Sequence, residues 1–251
     1  MKELIIKNLK KIEKDNNIEI LLAVESGSRA WGFASPDSDY DVRFIYVRQM
    51  EEYLRLEAMR DVIELPISNA LDINGWDLQK TLRLLHNSNP TLFEWFSSSI
   101  TYVETPFPDN LRKVMMNYFS VPKSLYHYIR MAEGNYRGYL KGEIVRAKKY
   151  FYVLRPVLAC RWILEKMTPP PILFSELANA QLPRFLKRKV ETLLELKINS
   201  PEIEVIPRIT SLNEFLDASI ADIKAQLDNL DEEEDNDWKP LNTFFLSILS
   251  R

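Results

Sequence analysis

Ile18-Glu19-Ile20-Leu21-Leu22-Ala23-Val24 runs into Glu25-Ser26-Gly27-Ser28-Arg29-Ala30-Trp31-Gly32, and Asp39-Tyr40-Asp41 then opens a second apolar run, Val42 to Val47. The first run, Ile18 to Val24, is short, aliphatic and β-branched, which is the composition of a buried strand. Val42 to Val47 reads as a second strand. Between them, Glu25 to Gly32 has no strand period and reads as a turn leading into a short helix. The fold is decided here, because two buried strands joined by a glycine-serine turn commit this part of the chain to a sheet.

Outward from this unit, Leu4/Ile5, Leu9 and Ile12 recur at helical spacing with lysines between, predicting an amphipathic first helix. Gln49 to Met59 reads as a short helix, followed by strand-like segments around Val62–Leu65 and Ala70–Ile73. Leu78, Leu82 and Leu85 share one face of a helix from Leu78 to His86, and Pro90 suits the first position of a helix over Thr91–Phe96. Beyond Gly134, Gly138 and Gly142 the chain reads as helices with proline-rich connections such as Pro169-Pro170-Pro171. The expected organisation is α+β: a small mixed sheet with helices over residues 1–110, then a helical region over 111–251. A boundary is expected near 105–122, with Thr105-Pro106-Phe107-Pro108-Asp109 as linker. The acidic run Asp231–Asp237 reads as a solvated loop.

Composition bounds the function. Lys and Arg number 33 against 36 Asp and Glu, a formal net charge of −3, so no overall field gathers long nucleic acid and no extended nucleic-acid surface is expected. The single cysteine, Cys160, forms no internal disulfide, and no leader or membrane-spanning pattern is present. The expectation is a cytoplasmic globular protein that does not engage membranes. His86 and His127 lack partners at helical spacing, which speaks against metal or triad roles, and Cys160 reads as a small buried hydrophobe. Trp76, Trp95, Trp162 and Trp238 read as core or interface anchors.

The chemistry concentrates between the first two strands. Glycine lets backbone N–H groups approach a ligand closely, and Ser28 adds a hydroxyl donor for phosphate oxygens. In an extended segment residues i and i+2 share a side, so Asp39 and Asp41 can present carboxylates to one hard cation while Tyr40 faces away. Mg²⁺ prefers one or two carboxylates completed by water and substrate phosphate. A second metal ion needs another acid from a neighbouring strand: Asp72, which alternates with Leu71 and Ile73, fits better than Asp77, which suits the first turn of the next helix. Arg29 and Arg43 are the nearby cations that can balance phosphate charge, a local pair with an acid such as Asp37 being the alternative for each.

Gly27-Ser28 followed after ten residues by Asp39-Tyr40-Asp41 resembles the signature of the DNA polymerase β-like nucleotidyltransferase superfamily. Its wider context, with Asn89-Pro90 and Glu94-Trp95, then Lys148-Lys149-Tyr150-Phe151-Tyr152 and Leu154-Arg155-Pro156, is similar to the bacterial and phage branch that includes RNA-ligase-associated members. The resemblance covers much of residues 20–165. It implies a nucleoside triphosphate, Mg²⁺ or Mn²⁺, and transfer of a nucleoside monophosphate with pyrophosphate release. By that resemblance Gly27 and Ser28 hold triphosphate, Asp39 and Asp41 bind metal, and Asp72 completes a second metal site and helps deprotonate the acceptor.

One later helix joins this expectation. Phe151, Leu154, Leu158 and Trp162 form its apolar stripe, with Lys148, Tyr152 and Arg155 on the neighbouring face. If that face meets the Gly-Ser turn, Lys148 and Arg155 neutralise triphosphate charge and Tyr152 stacks on the base; the alternative is a solvated basic face. Pro156 is a candidate kink. The acceptor stays open between an RNA end, a protein hydroxyl and a small molecule, with the RNA-ligase-associated branch leaning toward an RNA end. The alternative function is a catalytically silent nucleotide-binding or partner-binding module on the same scaffold.

Overall fold

The computed structural model describes residues 1–67, 70–199, 205–230 and 236–250. The chain begins with α1 (Lys2–Asn16), β1 (Ile18–Glu25), the single turn α2 (Gly27–Ala30), β2 (Tyr40–Arg48), α3 (Met50–Tyr53), β3 (Val62–Glu64) and β4 (Leu71–Asp77). Next come α4 (Leu78–His86), α5 (Pro90–Phe96), β5 (Thr101–Glu104), α6 (Phe107–Met115), α7 (Val121–Tyr139), β6 (Ile144–Arg146) and α8 (Ala147–Lys166). It ends with α9 (Phe174–Gln181), α10 (Arg184–Asn199), β7 (Val205–Pro207), α11 (Thr210–Leu227) and α12 (Lys239–Leu249). The chain adopts the expected α+β class, a small mixed sheet with helices and a helical region, but Leu111 and Met115 of α6 and Leu241 and Ile248 of α12, inside the range 111–251 expected to be the helical region, pack in the core of the sheet.

Two compact units share these elements: Met1–Ala30, Asp39–Phe119 and Asp235–Arg251 form one, Trp31–Ser38 and Ser120–Glu234 the other. The first holds a five-stranded sheet in the order β3-β4-β2-β1-β5, in which β2 and β4 are parallel and every other neighbouring pair is antiparallel. Strand alternation gives the sheet two apolar faces. Ile5, Leu9 and Ile12 of α1 cover Ala23, Val42, Phe44, Leu71 and Ile73 on one. Leu82, Leu92, Phe107 and Leu241, from α4, α5, α6 and α12, cover Val24, Ile45 and Val47 on the other. Full burial of an aliphatic side chain contributes about 1.5–3 kcal/mol, so truncating Leu9 to Ala removes about 2–5 kcal/mol once the cavity is counted.

Several expectations need correction. The helix expected over Gln49–Met59 stops at Tyr53: Leu54 and Leu56, which would continue it, are exposed and have no apolar surface to cover. The strand expected at Ala70–Ile73 begins one residue later and runs to Asp77, because Ala70 takes a left-handed turn (φ 60°) while Leu71, Ile73 and Gly75 continue the buried period. The Thr105–Asp109 segment is no free linker, since the Thr105 hydroxyl donates to the Leu21 carbonyl at 2.8 Å and α6 begins at Phe107. Helix α8 continues through Pro156 without a break, held by the buried residues on both sides of it. Most of the acidic run Asp231–Asp237 lies outside the described residues.

In the second unit α7 and α8 pack as a long antiparallel pair with α9, α10 and α11 around them, and β6 and β7 form a small antiparallel ladder. Cys160 is fully buried, as its place in an apolar helix implies. Among the described residues no helix is long and apolar enough to cross a membrane.

Candidate active site

At one end of the sheet, the parallel register sets Asp41 of β2 directly beside Asp72 of β4. Both leave the face that Val42, Leu71 and Ile73 enter, as period-two alternation requires. Arg43, two residues along β2, reaches back across them: its Nη2 donates to Asp41 Oδ1 at 3.2 Å and to Asp72 Oδ2 at 2.7 Å. Its Nη1 is fixed by the carbonyls of Val42 and Asp72, each at 3.1 Å. Asp72, Asp41 and Arg43 are thus brought together by strand geometry alone.

Gly27 closes the other side of Asp41. It sits at φ +59°, and a Cβ built there would lie 2.0 Å from Asp41 Oδ2, so both conformation and space demand glycine. The turn is locked to β2 by the Ser26 N–H, which donates to the Asp41 carbonyl at 2.8 Å. Ser28 and Arg29 follow in the one-turn helix α2. Arg29 lies 3.7 Å over the Tyr40 ring, with Nε donating to the Asp39 carbonyl at 3.1 Å, and so ties the turn to the start of β2. Asp39 is exposed.

Glu25, which the sequence reading passed over, is fully buried beneath this site. Its Oε1 accepts the Asp41 backbone N–H at 2.8 Å and its Oε2 accepts the Tyr102 hydroxyl, so it fixes the backbone that carries Asp41. Burial pushes the Glu25 carboxyl above its usual range, while the bonds from Tyr102 and Asp41 oppose the rise. The signal was present: a charged residue that ends a continuous apolar strand just before glycine is either solvated or bonded underneath. Burial also raises the Asp41 carboxyl; Arg43 pulls it down, and Asp72 and Asp39 add to the rise.

The donors at this end are carboxylate oxygens, the hard set that suits Mg²⁺ or Mn²⁺. Among the described residues no three His, Cys, Asp or Glu side chains form a ready-made cage. One ion held by one or two carboxylates with substrate phosphate fits this arrangement. A second ion between Asp41 and Asp72 does not fit it as it stands, because the Arg43 guanidinium occupies that position.

Asp77, the rival to Asp72, is buried at the opposite end of β4 and caps α4 by accepting the Gln79 N–H at 2.7 Å. His86 Nε2 bonds the Asn236 carbonyl at 2.8 Å, and its ring stacks 3.5 Å from that of Trp238, so it anchors α12. Lys148, Tyr152 and Arg155 belong to the second unit. Arg155 is 3% exposed with its guanidinium 4.5 Å over the Trp31 ring, so it does not lie on a solvated face; Lys148 and Tyr152 are half-buried.

A family model described as RlaP, the RNA repair pathway DNA polymerase beta family, matches residues 1–247. The uncharacterized protein YcgL of Bacillus subtilis (strain 168) is 48% identical over 251 residues, covering 99% of this chain and 96% of that protein. A crystal structure of a nucleotidyltransferase-like protein from Exiguobacterium sibiricum 255-15 aligns at 16% identity and a TM-score of 0.32 over 89% of this chain and 74% of that one.

Proposed function

The chain belongs to the RlaP family, the RNA repair pathway DNA polymerase beta family, and from that premise we propose that it moves a nucleoside monophosphate from an NTP to an acceptor hydroxyl, an RNA end foremost. The observation that carries this reading is the in-register pair Asp41 and Asp72 with Gly27 pressed against Asp41. Gly27 and Ser28 hold the triphosphate, the glycine leaving room where a side chain would collide with Asp41. Asp39 and Asp41 hold Mg²⁺ or Mn²⁺, which when bound supplies charge neutralisation for the phosphates. The acceptor oxygen bonds to the α-phosphorus as the bond to the bridging α–β oxygen breaks, pyrophosphate leaves, and Asp72 takes the hydroxyl proton. Arg43 holds Asp72 and Asp41 in place and offers a guanidinium to developing phosphate charge. Glu25 and Tyr102 position Asp41 from below.

The test is label transfer from α-³²P NTPs, each in turn, with Mg²⁺ or Mn²⁺, with and without cellular RNA. Asp39→Ala/Asp41→Ala is expected to lower transfer by a factor on the order of 10³ or more while the fold persists by circular dichroism. Transfer that survives the double change overturns the mechanism. NTP binding without any transfer by the wild type would instead favour a silent nucleotide-binding module.

A further inference from the structure

Between Val121 and Lys149 the chain holds seven cations (Lys123, Arg130, Arg137, Lys141, Arg146, Lys148, Lys149) and two acids (Glu133, Glu143), a local balance of +5 in a chain whose total is −3. Both acids are already matched from within the second unit: Glu133 by Lys224 at 2.8 Å and Glu143 by Arg208 at 3.4 Å. Among the described residues, Arg130, Arg137, Lys141 and Arg146 pair with no carboxylate, and all four are exposed.

Several of these cations form a line. Lys123, Arg130 and Arg137 recur every seven residues on α7, so they share the face opposite buried Leu125, Tyr128, Ala132 and Tyr136; Lys141 lies two residues past the end of the helix. From Lys123 to Arg137 the stripe is about 21 Å long. Tyr126 stands on it, 50% exposed, with the Arg130 guanidinium 4.4 Å over its ring. Gly134 lies between the two arginines and Gly138 beside Arg137, and a Cβ at either would meet nothing within 4 Å. Internal packing therefore gives no reason for two glycines in a helix that each of them weakens. They leave the helix backbone bare between guanidinium groups, where a sugar-phosphate chain can lie close.

We propose that this face of α7 is a docking surface for single-stranded nucleic acid, with Arg130, Arg137 and Lys123 on phosphates, Tyr126 as a stacking platform and Gly134 and Gly138 as the bare floor. Its charge complements a polyanion, and the exposed ring beside arginine suits unpaired bases, which stack without sequence preference. An overall negative chain is no obstacle, because phosphate contacts act within a Debye length, about 8–10 Å at ordinary ionic strength. The proposal rests on the transferase reading only in that it gives an RNA acceptor a place to lie.

Binding is measured apart from that reaction, by fluorescence anisotropy of a labelled oligouridylate of about 12 nucleotides with the full chain, without NTP or metal, between about 50 and 200 mM salt. Wild type and Asp39→Ala/Asp41→Ala are expected to bind alike, so failure of catalysis leaves this outcome readable. Arg130→Gln/Arg137→Gln is expected to weaken binding about tenfold or more near 0.1 M salt and to flatten the log–log salt slope by about 1.4, two phosphates at about 0.7 each. Gly134→Gln/Gly138→Gln is expected to raise Tm, since glutamine is the better helix former, and yet to weaken binding; that opposition separates a binding floor from a structural role. The proposal is overturned if the arginine variant binds as the wild type does, if the glycine variant gains Tm with affinity unchanged, or if a duplex of equal length binds as tightly. Competition by polyglutamate as effective as that by oligouridylate would point to an acidic protein partner and would equally overturn it.

Discussion

Arginine and aspartate meet twice across the parallel strands β2 and β4, and the two meetings are five residues apart on each strand: Arg43 with Asp72, and Arg48 with Asp77. The chemistry is the same and the outcome differs. At the second, Asp77 is buried and each oxygen has its donor: Oδ1 the Gln79 N–H, Oδ2 the Tyr53 hydroxyl at 2.9 Å, with Arg48 Nε at 3.8 Å. One guanidinium answers one carboxylate, and the network ends as the cap of α4. At the first, one guanidinium answers two carboxylates that keep 29% of their side-chain surface, with Asp39 close enough to raise Asp41 further. An uncompensated negative charge that remains in reach of solvent is what separates the Asp41 end from the completed network at Asp77.

The largest expected effect breaks the comparison at its active end. Asp41→Asn should reduce label transfer by about 10²–10³, and Gly27→Ala should match it by forcing Asp41 aside, with Tm near the wild-type value in the first case. Asp77→Asn should leave transfer per folded molecule within a few-fold, and an equal loss there would erase the distinction. Next, Asp77→Ala removes a helix cap and strands the Tyr53 hydroxyl, at a cost of about 2 kcal/mol in denaturant unfolding. Smaller still, Arg43→Gln should tighten Mn²⁺ binding, read by calorimetry, roughly three- to tenfold, about 1 kcal/mol, by removing a competing charge; Arg48→Gln should leave it unchanged.

The smallest effect is a pH slope. Burial raises the Asp77 carboxyl above the ordinary aspartate range, against the opposing bonds from Gln79 and Tyr53. A raised acid binds its proton more tightly folded than unfolded, so its contribution favours folding at low pH and is lost as pH climbs from about 3.8 through the folded value. Asp77→Asn has no such titration, so its deficit relative to wild type should shrink as pH rises through that window in urea titrations. A deficit that grows with pH would reverse the assignment.

Much of this was legible in the sequence because it is written locally. The lysine-spaced stripe of α1, the apolar runs of β1 and β2, and the Asn89-Pro90 start of α5 each carry their signal within a dozen residues. What was not legible depends on distant partners. Thr101–Glu104 is a strand only because β1 offers it an edge, and β6 finds β7 some sixty residues away. The side on which Asp72 stands followed from alternation, but the guanidinium placed between it and Asp41 needed the register of β2 against β4. The positive stripe on α7 was hidden by a whole-chain sum in which acids elsewhere cancel it.

Helix α12 has a consequence for how the molecule is made. Leu241 and Ile248 complete a core whose other members lie before residue 119, and His86 waits for Trp238. During synthesis the sheet-bearing unit therefore lacks part of its cover on one face until the whole helical unit has emerged. A chain stopped short of Trp238 would lack the apolar cover that Leu241 and Ile248 supply, and His86 would lack its stacking partner.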